Sequence, residues 1–187
     1  KIMVMLKAFG YGSTDAELGR WLQHNGVDYL AVAYADEGIA LREGGVRLPI
    51  MVLNPEPGAF EQMVNHRLEP EIFSFDLLEA FEAFAAANGL QQYPIHLKLD
   101  TGMHRLGFLP HEADRLADAL TGLPHLRVAS VFTHLVASEN PEHDAFTRQQ
   151  ASLFDGAANR LRQKLGYYFL LHAANTAGIL RHPYLHY

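Results

Sequence analysis

The sequence predicts an α/β fold on a parallel sheet and, within that class, an incomplete (β/α)8-type TIM barrel. Two observations lead there. Strand-like and helix-like segments alternate seven times along the 187 residues, as parallel strands joined by right-handed crossovers do. No Gly-x-Gly-x-x-Gly follows the first strand, so the main signature of the rival doubly wound sheet is missing. An eighth strand would lie beyond Tyr187. The chain opens at Lys1 in mid-strand, without methionine. It therefore reads as one domain, residues 1–187, cut from a longer polypeptide at both ends.

The elements follow in order. Residues 2–6 are five apolar residues in a row, suited to a strand buried on both faces. Residues 14–26 carry helix signals, with Ser13 or Thr14 as cap and Gly26 as stop. Residues 29–35 form a second strand, and residues 36–44 a helix capped by Asp36. Residues 49–53 form a third strand, followed by a helix over 57–65. Residues 71–75 form a weaker fourth strand, before an Ala/Phe-rich helix to 87 capped by Asp76. Residues 95–99 form a fifth strand, and Pro110 starts a helix to 120. Residues 128–135 form a sixth strand, and 144–165 the longest helix, ended by Gly166. Residues 167–173 form a seventh strand, and a last helix starts at Thr176. Phe75 to Phe84 read as core packing, and the charged face of the long helix as solvated.

Composition narrows the function. The chain is 49% hydrophobic with a formal net charge of -6 and no long basic run. That argues against nucleic acid or an anionic membrane surface as partner. There is no cysteine, hence no disulfide framework or thiolate metal site, which fits a reducing, cytoplasmic setting. No apolar run approaches the ~20 residues of a membrane helix, and no signal peptide is visible. Eleven histidines raise the question of zinc. They are scattered, however, and Pro183 interrupts the His182–His186 pair, so no metal site is expected.

Chemistry in such a barrel sits at the C-terminal ends of the strands. Those ends supply Lys7 and Tyr11, Asp36 and Glu37, Asn54, then Lys98, Asp100, Thr101, Met103 and Arg105, then Thr133 and His134, and finally His172, Asn175 and Thr176. Lys7 closes the first strand before the Gly-punctuated turn 9–12. Two readings compete: a lysine snorkelling from a strand end, and an amine held for a Schiff base, since burial favours the neutral form. Thr176 lies where a helix begins, either as part of an ordinary cap or as an anion site. Lys98 could pair with Asp100 or Glu71. A Schiff-base lysine together with a phosphate site on a barrel points to pyridoxal phosphate.

The stretch Lys7-Ala-Phe-Gly-Tyr-Gly12 resembles the lysine motif of the alanine racemases, a pyridoxal-phosphate family of the barrel type. The resemblance continues at 100–107 (Asp-Thr-Gly-Met-His-Arg-Leu-Gly), at Thr133-His134, and at 172–177 (His-Ala-Ala-Asn-Thr-Ala). It also extends to a fused form in which the racemase follows a peptidoglycan-precursor ligase.

The resemblance implies roles. Lys7 forms the internal aldimine and exchanges the substrate α-proton on one face. Tyr11 contacts the cofactor phosphate, with Asn175 and Thr176 matching an Asn-Ser phosphate pair. Lys98 matches a lysine often carbamylated, which orients Arg105 near the substrate carboxylate and the cofactor phenolic oxygen. His134 packs against the cofactor ring. His172 hydrogen-bonds an arginine facing the pyridine nitrogen. That arginine, and a tyrosine base given by a C-terminal β domain of the other subunit of a homodimer, are expected beyond Tyr187. His104 departs from the family, which has glycine there. The implied activity is interconversion of L- and D-alanine for the cell wall. The rivals are a non-catalytic pyridoxal-phosphate-binding barrel, and a fragment inactive for want of the second base.

Overall fold

A computed structural model describes residues 1–12 and 15–187; the cap expected at Ser13 or Thr14 lies outside the described residues. The chain divides into two compact units, residues 1–71 and 72–187.

The first unit holds β1 (Met3–Met5), β2 (Tyr29–Val32), β3 (Ile50–Val52) and β4 (Leu68–Ile72), with helices α1 (Asp15–His24), α2 (Ala35–Glu43) and α3 (Phe60–Asn65). Each strand pairs in parallel with the next. Leu30, Ile50 and Leu68 stand in one register across three strands, and each is fully buried. The helices close over this layer. The Arg42 guanidinium fastens α2 by donating to the carbonyls of Val46, Leu48, His66 and Arg67. One planar fork thus satisfies four loop acceptors that no strand reaches.

The second unit holds β5 (Tyr93–Lys98), β6 (Leu126–Phe132) and β7 (Leu170–His172), with α4 (Phe75–Ala87), α5 (Ala113–Thr121), α6 (Asp144–Leu165) and α7 (Thr176–Arg181). These strands are again parallel and consecutive. A doubly wound sheet reverses its strand order at a switch point; sequential order within both units is that of the barrel class. The β5–β6 ladder carries one irregularity. Ile95 pairs with Val128 but His96 pairs with Ser130, so Ala129 is an extra residue, a bulge in a parallel pair.

Several boundaries differ from those read in the sequence, for physical reasons. The fourth strand begins at Leu68 rather than residue 71, with Pro70 inside it opposite Val52. Two glutamates and a proline hid that strand, although Leu68, Pro70, Glu71 and Ile72 are all buried. Residues 73–75 leave it because Ser74, not Asp76, caps α4: its Oγ accepts the Leu77 N–H at 3.2 Å. The next helix correction is at α2, which starts at Ala35 rather than Asp36. Glu37 reaches back to accept the N–H groups of Ala33 and Tyr34. The sixth strand stops at Phe132, and the seventh keeps only Leu170–His172. Helix α6 spans the expected residues and ends at Gly166 with φ 70°. Phe81 is buried as expected and packs edge-on to Tyr93.

The two cap readings separate in a denaturation experiment. Ser74→Ala should cost about 1 kcal/mol, whereas Asp76→Ala, which loses only a helix-dipole contact, should cost about 0.3 kcal/mol. The reverse order in urea midpoints would restore Asp76 as the cap.

Candidate active site

In the first unit the candidate residues are Lys7 and Tyr11. The Leu6 N–H extends the β1 ladder to the Ala31 carbonyl at 2.7 Å, and Lys7 follows at the strand's end. Residues 8–12 form a left-handed turn: φ is 52° at Ala8, 52° at Phe9, 57° at Gly10, 58° at Tyr11 and 95° at Gly12. The Tyr11 N–H closes it onto the Lys7 carbonyl at 3.1 Å. Left-handed backbone costs an L-residue roughly 1–2 kcal/mol, so three such residues together need an anchor. Glu37 supplies it: one carboxylate oxygen accepts the Ala8 N–H at 2.8 Å while the other holds Ala33 and Tyr34. The sequence showed a turn here, with Gly10 and Gly12 as its signal, but not its hand. Lys7 and Tyr11 are both exposed, so these residues do not give Lys7 the burial expected from its place at a strand mouth.

In the second unit the sheet register builds a lateral ladder. Lys98, Phe132 and His172 stand opposite one another on β5, β6 and β7. The His172 ring stacks on Phe132 with centroids 4.8 Å apart and planes 4° from parallel. Lys98 Nζ lies 5.6 Å from the same ring centroid. One layer down, His96 Nδ1 meets Ser130 Oγ at 2.7 Å, and Ser130 Oγ meets His172 Nε2 at 3.0 Å. Burial, and then the neighbouring His96, push the His172 imidazole down to about 3. It is neutral at physiological pH. Ser130 and His96 were not singled out in the sequence; only their two-residue spacing from Phe132 and Lys98 could have flagged them.

The loop 99–108 is shaped by Asp100. Its carboxylate accepts the N–H groups of Gly102 and His104, both at 3.0 Å, and lies 3.4 Å from the His104 ring. Burial alone would raise this carboxyl. The backbone donors and the His104 ring outweigh it and hold the group below its ordinary value. The loop returns to the sheet where the Phe108 N–H meets the Lys98 carbonyl and the Asp100 N–H meets the Phe108 carbonyl, both at 2.9 Å. Gly107 permits that return, because a Cβ there would sit 2.7 Å from the Asp100 nitrogen. His104 has φ 55°, which explains why glycine suits that position. Arg105 stands exposed beside it.

The loop after β6 is held from behind by a residue the sequence reading passed over. Gln150, fully buried on α6, donates to the His134 carbonyl at 3.1 Å and to Thr101 Oγ1 at 3.4 Å, and accepts the Val136 N–H. Thr133 donates to the Leu99 carbonyl, so Thr101 must donate to Thr133. The Lys98–Arg105 loop and the His134 loop are thereby pinned to one helix. At α7, Asn175 Oδ1 accepts the Gly178 N–H at 2.9 Å and the Ser138 hydroxyl at 2.7 Å, and its amide donates to the Leu135 carbonyl. Asn175 therefore builds the turn, and Thr176 stays exposed at its head. Among the described residues, no His, Asp and Glu cluster is suited to a metal ion, and no helix is long and apolar enough to cross a membrane. His182 bonds Tyr184 and the Ser138 carbonyl instead.

Parallel strands in sequence order within each unit, with polar groups at their C-terminal ends, are those of the (β/α)-barrel class. The chain belongs to the alanine racemase N-terminal domain family, whose model matches residues 1–187. It is 35% identical over 188 residues to the alanine racemase of Symbiobacterium thermophilum, covering 100% of this chain and 49% of that protein. It is 34% identical over 192 residues to the serine/alanine racemase of Enterococcus gallinarum, covering 26% of that protein. Alanine racemase from Clostridium difficile superposes with a TM-score of 0.92 at 30% identity, over 99% of this chain and 48% of the other. The chain thus spans about half the length, or less, of the relatives it matches.

Two substitutions test the site's construction. His104→Gly removes left-handed strain and gives up the contact of the exposed His104 ring with the Asp100 carboxylate; stability should hold or rise by up to about 1 kcal/mol, and His104→Val should lower it. For His172, the unfolded ring binds a proton near pH 6.5 and the folded ring near pH 3. Its stabilisation is therefore full above pH 6.5 and is lost as pH falls toward 3. His172→Gln should flatten the acid limb of the stability curve by up to ~1.4 kcal/mol per pH unit. An unchanged slope would mean that the ring titrates normally.

Proposed function

We propose that this chain is the cofactor-binding part of an enzyme that interconverts L- and D-alanine with pyridoxal 5′-phosphate, in the cytoplasm, supplying D-alanine for peptidoglycan precursors. The observation that supports it most is the strained left-handed turn behind Lys7. Backbone of that kind persists where surrounding contacts over-determine it, and it concentrates at functional sites. Here it follows directly on an exposed amine in a chain of the racemase family.

The residues present fit the cofactor's chemistry. Lys7 offers a primary amine to an aldehyde, and Thr176 offers a hydroxyl beside the first N–H groups of α7 to a phosphate. When bound, the cofactor withdraws electrons from the substrate's α-carbon. Lys7 holds the cofactor and takes or returns the α-proton on one face. Tyr11 and Thr176 bind the phosphate, with Asn175 shaping the turn that presents Thr176. His134 packs on the cofactor ring from a loop held by Gln150. Arg105 grips the substrate carboxylate, which a planar guanidinium does in two-pronged fashion, and a carbamate on Lys98 orients it. His172 receives the arginine that faces the pyridine nitrogen.

Racemisation also needs a proton donor on the opposite face. We assign it to a tyrosine outside residues 1–187, in a homodimer, so these residues alone are inactive. Alanine is taken as the substrate from the family; kinetics with alanine and serine distinguish the two.

Borohydride reduction of the full-length holoenzyme followed by peptide mapping should place a pyridoxyl group on Lys7. An adduct on another lysine sinks the assignment. Lys7→Ala should lower turnover by more than about 10³-fold, and near-normal activity would remove Lys7 as a base.

A further inference from the structure

We propose that the Ser130 hydroxyl couples the tautomers of His96 and His172, making Ser130 and His96 positioning residues that fix whether His172 presents a donor or an acceptor. The coupling follows from proton counting. Ser130 is 1% exposed and His96 is 1% exposed. Among the described residues, Ser130 Oγ has two hydrogen-bond partners, His96 Nδ1 at 2.7 Å and His172 Nε2 at 3.0 Å. A serine hydroxyl has one hydrogen to give, and a buried hydroxyl that gives it to nothing loses a bond it had in water. The hydrogen therefore goes to one of the two rings, and the other ring must donate to the oxygen. Of the two facing nitrogens, one carries a hydrogen and the other does not.

Two states satisfy this for neutral rings. In the first, His96 donates from Nδ1 and Ser130 donates to His172 Nε2. His172 then keeps its own hydrogen on Nδ1 and presents a donor on its far side. In the second, His172 donates from Nε2 and Ser130 donates to His96 Nδ1. His172 Nδ1 is then an acceptor. The two rings thus share one tautomer, both Nδ1–H or both Nε2–H. Stacking on Phe132, 4° from parallel, holds the His172 ring plane, so the hydrogen's position alone decides what the ring offers.

The choice between the two states rests on the proposed function. An arginine facing the pyridine nitrogen is a donor only, so it requires His172 Nδ1 as acceptor and both rings as Nε2–H.

Neutron diffraction from crystals of the full-length holoenzyme reads the hydrogens directly. The coupling expects the same tautomer on both rings. In Ser130→Ala the arginine still holds His172, so the coupling expects the His96 hydrogen, no longer tied to that ring, to leave the single Nε2 position, and Ser130→Thr to restore it. Turnover should fall about 10-fold in the alanine variant and recover in the threonine variant, as for other supporting-shell bonds. Unlike tautomers in the parent protein, or a His96 hydrogen on the same nitrogen with and without the hydroxyl, would overturn the coupling. Both rings as Nδ1–H would support the coupling and remove His172 as the arginine's acceptor.

Discussion

One extra residue, Ala129, decides which side chains meet across β5, β6 and β7. The Ile95–Val128 register, if continued unbroken, would set His96 against Ala129 and Lys98 against Val131. The bulge instead sets His96 against Ser130 and Lys98 against Phe132. Side chains alternate faces along a strand, so a slip of one residue reverses every assignment that follows. Without the bulge the buried imidazole of His96 would lose its hydroxyl partner, and Lys98 its place opposite Phe132. An unsatisfied buried polar group costs about 1–3 kcal/mol. That is a sizeable share of the stability of a typical domain. The irregular register is therefore the low-energy one, and the side chains at the ends of these strands inherit their positions from it.

The Lys7 region solves a different problem. A ladder of paired strands holds its side chains by register, but Lys7 lies past the last paired residue of its strand and the backbone behind it turns with the wrong hand for L-residues. What makes that turn persist is local bonding: the Glu37 carboxylate on three N–H groups and the Tyr11–Lys7 closure. A carboxylate accepting backbone donors makes stronger bonds than a neutral acceptor would. Glu37 sits on α2 in the next strand–helix step, so the turn is held by the fold's own succession of elements. A long flexible amine on a fixed base keeps reach without losing its origin, which suits the binding and proton-moving role proposed for Lys7.

The sequence made the succession of elements legible because each strand and helix carries its own period and its own punctuation. The long helix 144–165, with Gly166 at its end, was readable to the residue. Motif-bearing positions such as Lys7, Arg105 and Asn175 were also visible, since polar groups at strand ends are conspicuous. What escaped depends on partners distant in the chain. The fourth strand was misplaced because Glu69, Pro70 and Glu71 look unlike a strand until their burial is known. Ser74 and Asp76 are equally good caps on paper, and only the path of the chain chooses. The bulge at Ala129 leaves no local mark. Gln150 reads as one polar residue on a charged helix; its burial against two loops follows from which face α6 turns inward.

The neutrality of His172 joins these threads. Its position is set by a register that packs it on Phe132 and hydrogen-bonds it to Ser130, and both contacts crowd a half-buried ring. That enclosure, with His96 close by, is what keeps a proton off the ring far below the usual imidazole range. In the proposed reading the neutral ring matters, because a charged one would repel the arginine it is meant to hold. The same residues that fix the strand register thus also fix the charge at the strand ends. Packing and electrostatics are here one constraint, since the contacts that pack the ring are also those that crowd it away from the solvent a proton's charge would need.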